Sequence, residues 1–159
     1  MIEIRCDTGA IVRIEGDTLE EARLDEMDLH RALLDHTNLR AASLRKANLR
    51  GASLEGTNLC SADLTDAAVM VAWLRNADLS SAVLVRAQLI GVRADGANLR
   101  NADLTNADVG GADFSNADLR GSKMLCERLA EATLAGATFD GDTLWPRGFD
   151  AASAGARRA

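Results

Sequence analysis

The residues best equipped for chemistry in this 159-residue sequence are four evenly spaced aspartates, Asp103, Asp108, Asp113 and Asp118. Hard cations want several oxygen ligands at once, and Asp108-Val109-Gly110-Gly111-Ala112-Asp113 carries the carboxylates and glycines from which a calcium loop is made. His30 and His36, the only histidines, could each ligate zinc, but no cysteine or carboxylate stands at ligand spacing. The three cysteines, Cys6, Cys60 and Cys126, are far apart and odd in number. Cys60 and Cys126 are predicted to face outward and could react, yet neither has a histidine placed to activate it. The sequence has no GxSxG elbow, no phosphate-cradling glycine loop and no Walker lysine. Whether the aspartates can act together depends on the backbone that carries them.

That backbone has an unusual rhythm. An apolar residue recurs every five positions, from Leu19, Leu24, Leu29 and Leu34 without a slip to Phe139 and Leu144. Two residues before most of them stands alanine, as in Ala42, Ala47, Ala52, Ala62 and Ala67, and the positions between are mostly Asp, Asn, Ser, Arg or Gly. A helix would smear a period of five around its cylinder, and a flat strand would throw successive leucines onto opposite faces. The pattern fits a short extended piece followed by a corner. The alanine and the central residue then point inward, their neighbours outward, and the second residue after the central one turns the corner. Eight glycines fall on that corner slot: Gly51, Gly56, Gly91, Gly96, Gly111, Gly121, Gly136 and Gly141. Echoes at twenty residues imply four units per turn. Ala94, the one undersized central residue, precedes Phe114 by twenty, a large–small compensation that close packing demands between stacked layers. Asn38, Asn58, Asp78, Asn98 and Asp118 form another such column.

Units such as Ala47-Asn48-Leu49-Arg50-Gly51, Ala97-Asn98-Leu99-Arg100-Asn101 and Ala117-Asp118-Leu119-Arg120-Gly121 resemble the pentapeptide repeat family, whose pattern is A(D/N)LXX. The resemblance implies an all-β fold, a right-handed quadrilateral β-helix of about six coils. At about 4.8 Å per stacked strand the rod would be roughly 30 Å long. Residues 17–146 would form the solenoid. Residues 1–16, read as strands Ile2–Cys6 and Ala10–Ile14, would cap one end, and 147–159 would be a capping tail. Leu144-Trp145-Pro146-Arg147-Gly148-Phe149-Asp150 is similar to the closing segment of family members, with Trp145 and Phe149 over the end. Ala151–Ala159 is expected to fray. The unit frame puts Glu127 and Arg128 where alanine and a short polar residue belong, so irregular geometry is predicted near Ser122–Ala130.

In such a coil the four aspartates occupy four successive sides and cannot converge on one ion. A filled convex rod offers no concave site. The expected protein is therefore not an enzyme and takes no cofactor or metal. The outward slots that break the polar rule carry more information. Met70, Val71, Trp73 and Ile90 form one apolar cluster, with Arg93 one coil beyond Trp73 and placed for a cation–π contact. Val83, Val85 and Leu125 form a weaker one on another side. Contiguous exposed apolar surface marks partner sites, so the first cluster is the candidate interface of a protein-interaction scaffold with an unidentified protein partner.

The resemblance also supplies an alternative, since some family members mimic DNA, bind DNA gyrase and give quinolone resistance. Mimicry needs regular negative charge along the rod, but residues 1–36, with ten carboxylates against four arginines, hold the whole net charge of −6 and leave residues 37–159 balanced. The short C-terminal stretch also makes no convincing dimerisation helix. No basic stripe suggests direct nucleic-acid binding, and no apolar run approaches the roughly 18 residues of a membrane span. A cytoplasmic monomer or end-to-end homodimer is expected.

Overall fold

The computed structural model describes residues Met1–Ala159 as a stack of twenty-residue coils. Parallel bridges join residues twenty apart, in columns such as Asn38–Asn58–Asp78–Asn98–Asp118 and Ser43–Asp63–Val83–Asp103–Lys123. Each coil therefore has four sides. Central residues Leu39, Leu59, Leu79, Leu99 and Leu119 line the first side, and Leu44, Leu64, Leu84, Leu104 and Met124 the second. The third holds Leu49, Val69, Leu89, Val109 and Leu129, and the fourth Leu54, Leu74, Ala94, Phe114 and Leu134. All of these are buried. Each side contributes one bridged residue between two corners, so the ladder is built of single bridges and not of long strands.

The hydrogen bonds explain why five residues suffice. The central residue donates its N–H nineteen residues ahead (Leu59 to Asp78 O, 2.7 Å), and the corner residue does the same (Ser61 to Ser80 O, 2.9 Å). The residue before the centre donates twenty-one back (Asn58 to Thr37 O, 3.0 Å). The alanine closes a turn onto the preceding centre (Ala62 to Leu59 O, 3.0 Å). One N–H per unit is left, that of the residue after the centre, and where an Asp or Asn stands two positions before, its side chain takes it. Thus Cys60 donates to Asn58 Oδ1 (3.0 Å) and Ser80 to Asp78 Oδ1 (3.0 Å). This Asx turn gives the recurring Asp/Asn a structural duty.

Every corner slot from Glu21 to Gly121 has positive φ, as the third residue of a type II turn requires. At Gly56 a second reason adds to this: a Cβ would lie 2.4 Å from His36 Nδ1 of the coil before. Gly141 is the exception to the expected corners, because it lies outside the positive-φ set.

Two register changes depart from the five-residue count. Glu127 pairs with Asp108, nineteen residues away, so Cys126 and not Glu127 enters the alanine place. The missing residue is regained through left-handed Arg128 and a 3-10 turn at Leu129–Glu131. Near the end, Lys123 bridges Leu144, twenty-one residues on. An extra residue enters at Asp140–Asp142, where Asp140 Oδ1 accepts the N–H of Gly121 and of Asp142. Thr143 then turns inward, its hydroxyl donating to Leu119 O (3.0 Å), and Leu144 is pushed out, 47% exposed. Leu144 is therefore not a core residue.

Strand β1 (Ile2–Arg5) pairs antiparallel with β2 (Ile11–Ile14). This hairpin sits on the first coil through Leu33 N–H to Arg5 O and Asp7 N–H to Arg31 O, covering an edge that would otherwise invite association. At the other end Trp145 meets Phe139 edge-on (5.6 Å, 86°) and stacks on Phe149 (5.4 Å, 27°). The last residues are bonded where fraying was expected. Strand β3 (Thr138–Phe139) pairs in parallel with β4 (Arg157–Arg158), Gly136 donates to Gly155 O, and Ala151 and Ala156 are buried. The backbone of β3 supplies a template that residue type does not advertise.

Candidate functional site

The four aspartates lie on four successive sides, and each is engaged where it stands. Asp103 holds Lys123 (2.8 Å), Asp108 holds Arg128 (2.7 Å), and Asp118 holds Arg120 (2.5 Å). Asp113 accepts the Ser115 N–H (2.9 Å). The Arg120 hydrogen bond keeps the Asp118 carboxyl below its ordinary value. The Asp66 carboxyl is likewise held down, chiefly by its hydrogen bond from Arg86. A carboxylate whose pKa is lowered by folding stabilises the fold above its unfolded pKa and loses that contribution as pH falls through the folded one. The melting temperature should hold from about pH 7 to 5 and drop below about pH 4. A thermal melt series down to pH 3 that stays flat would contradict this.

His36 is exposed and His30 half-buried, on different sides. Cys60 is half-buried, whereas Cys126, expected outside, is buried with 8% exposure. Its thiol donates to Met124 O (3.4 Å), and burial pushes its pKa up to about 12. The shortened unit at Glu127 is the cause, since it draws Cys126 inward.

Shallow clefts occur only at the ends of the rod. One of about 290 Å³ lies by Arg13, Ile14, Thr18 and Met27, and one of about 360 Å³ by Cys126, Arg128, Leu129, Pro146 and Phe149. Neither brings a nucleophile to a base.

The structure does assemble the apolar cluster on the third and fourth sides. Val71 is 52% and Trp73 42% exposed, and Met70 and Ile90 are half-buried in one column. Trp73 bridges Arg93, whose guanidinium carbon lies 4.4 Å from the indole centroid. The weaker set is not brought together, because Thr105 stands between Val85 and Leu125 in their column.

Two features of this face were not singled out in the sequence. Arg50, exposed one coil before Met70, forms no ion pair, and neither does Arg93. In addition, the slots at Ala68, Trp73, Gln88 and Arg93 lack an Asp or Asn, and the N–H groups of Met70, Arg75, Ile90 and Asp95 find no acceptor in the chain. The signal was present as the absence of the repeat's own polar residue.

Pentapeptide repeats match in eight copies over residues 18–51, 28–66, 72–100, 82–121 and 112–141. The chain belongs to the pentapeptide repeat family. The pentapeptide repeat protein of the Arabidopsis thaliana thylakoid lumen is 29% identical, with a TM-score of 0.51 over 64% of this chain and 68% of that one. HetL, a pentapeptide repeat protein involved in heterocyst differentiation regulation in Nostoc sp. strain PCC 7120, is 27% identical, with a TM-score of 0.51 over 76% and 70%. QnrB1, a plasmid-mediated fluoroquinolone resistance protein, shares the fold at 18% identity, with a TM-score of 0.53 over 78% and 76%. Comparison with curated proteins gives no significant match.

Proposed function

We propose that this pentapeptide repeat protein is a non-catalytic scaffold, a right-handed quadrilateral β-helix that binds another protein through its third and fourth sides. The observation that carries the reading is the contiguous apolar surface of Met70, Val71, Trp73 and Ile90 on a rod whose other outward slots are mostly polar. A folded chain has little reason to expose such a patch unless something covers it. A reducing compartment such as the cytoplasm suits three unpaired cysteines. The hairpin over the first coil and the paired tail support a monomer.

Charge weighs against DNA mimicry. The aspartates that could form a phosphate-like row are matched locally, Asp66 by Arg86, Asp95 by Arg75 and Asp103 by Lys123. Purified protein at micromolar concentration should leave gyrase supercoiling unchanged, with or without a fluoroquinolone; inhibition or protection would reverse this choice. Trp73→Asp changes only an outward slot, so its circular dichroism should match the parent. In affinity capture from the source cell it should lose the partner that the parent retains. Equal capture by both proteins would remove the patch from consideration.

A further inference from the structure

The chemistry of this face narrows what it can receive. Around the four apolar side chains, two cations and several backbone donors are left unpaired. Arg50 and Arg93 carry positive charge without an ion-pair partner, and the N–H groups of Met70 and Ile90 have no acceptor in the chain. In units that keep the Asp or Asn, this N–H is bonded by that side chain on the outer surface, so it faces outward. The position is one that a carboxylate already fills in neighbouring units, as Asp78 and Asp108 do. Here Ala68 and Gln88 stand in its place, and a carboxylate from outside would restore the missing bond.

We propose that the face takes an acidic, apolar peptide segment of a partner protein. Its aliphatic or aromatic side chains would lie on Met70, Val71, Trp73 and Ile90, and its carboxylates on Arg50, Arg93 and the free N–H groups. This rests on the scaffold reading and adds the partner's chemistry to it. Charge complementarity is the deciding argument, since unpaired cations beside an exposed apolar patch select for anions. A single-stranded nucleic acid also offers anions and stacking rings, but aliphatic Met70, Val71 and Ile90 dominate here, and they offer a base no aromatic face to stack on.

The test is selection of random twelve-residue peptides displayed on phage against the folded full chain, followed by binding of the selected peptides to variants. The proposal expects enrichment of Asp and Glu beside Leu, Ile, Phe or Trp. Arg50→Glu with Arg93→Glu should weaken binding about tenfold, and raising salt from 50 to 500 mM should weaken it severalfold. Selected peptides that need Trp73 but show no acidic bias would overturn the proposed chemistry and leave the patch standing. Peptides indifferent to Trp73→Asp would overturn both. Trp73-dependent binding of a single-stranded 20-mer oligonucleotide, tighter than that of any selected peptide, would overturn the peptide in favour of nucleic acid. Circular dichroism identical to the parent shows that each variant folds.

Discussion

Replacing Leu64 with alanine is expected to lower the free energy of unfolding by about 3–5 kcal/mol, and replacing it with aspartate to leave no cooperative folded state. Leu64 is fully buried between Leu44 and Leu84 of the second side. The interior is a tube one side chain deep, so nothing behind Leu64 can slide in to fill a void. Each coil also contacts only its neighbours, so a failed layer removes support from both. A buried carboxylate in that place would have no partner. The alanine slot is more tolerant. Thr57 lies there fully buried because its hydroxyl donates to Leu34 O (2.7 Å), an option a central residue does not have. Chemical denaturation followed by circular dichroism measures the difference. A Leu64→Asp protein with a transition close to the parent's would contradict a core of this shape.

The second large effect concerns a pair. Ala94 and Phe114 are consecutive central residues of the fourth side, both essentially buried. Leucine at 94 would overpack the layer that Phe114 fills and should cost about 1–3 kcal/mol. Phe114→Leu alone should cost a similar amount by leaving a void. The double substitution restores the leucine-on-leucine stacking of the other sides, so its cost should fall well short of the sum of the two. A coupling energy of at least about 1 kcal/mol is expected in the double-mutant cycle. Strict additivity would mean that the two side chains do not share a layer.

The solenoid itself was legible because its code is repetitive and redundant. The leucine column, the alanine two residues before and the glycines at the corner all specify the same bend, and Ala94 with Phe114 discloses the twenty-residue coil. The misread places are those where backbone count and residue type part company. Met124, Leu129 and Leu134 keep the five-residue spacing in sequence. Between them the chain drops a residue at Cys126 and regains it in the Leu129–Glu131 turn, so Cys126 goes in against expectation. Leu144 looks like a core residue by type, yet the loop at Asp140 turns Thr143 inward and Leu144 out. The tail pairs through main-chain bonds that its alanines and arginines do not encode. On the candidate face, Trp73 and Arg93 could be placed from the twenty-residue step alone. Arg50 could not, because only the structure shows that no carboxylate reaches it.

Scalar couplings across hydrogen bonds, measured by NMR on isotopically labelled protein, read the coil directly. The amide nitrogens of Leu59, Leu64 and Leu74 should each couple to a carbonyl carbon nineteen residues ahead, in Asp78, Val83 and Arg93. Couplings to carbonyls four residues back, or none at all across the coils, would contradict the stacked twenty-residue coil.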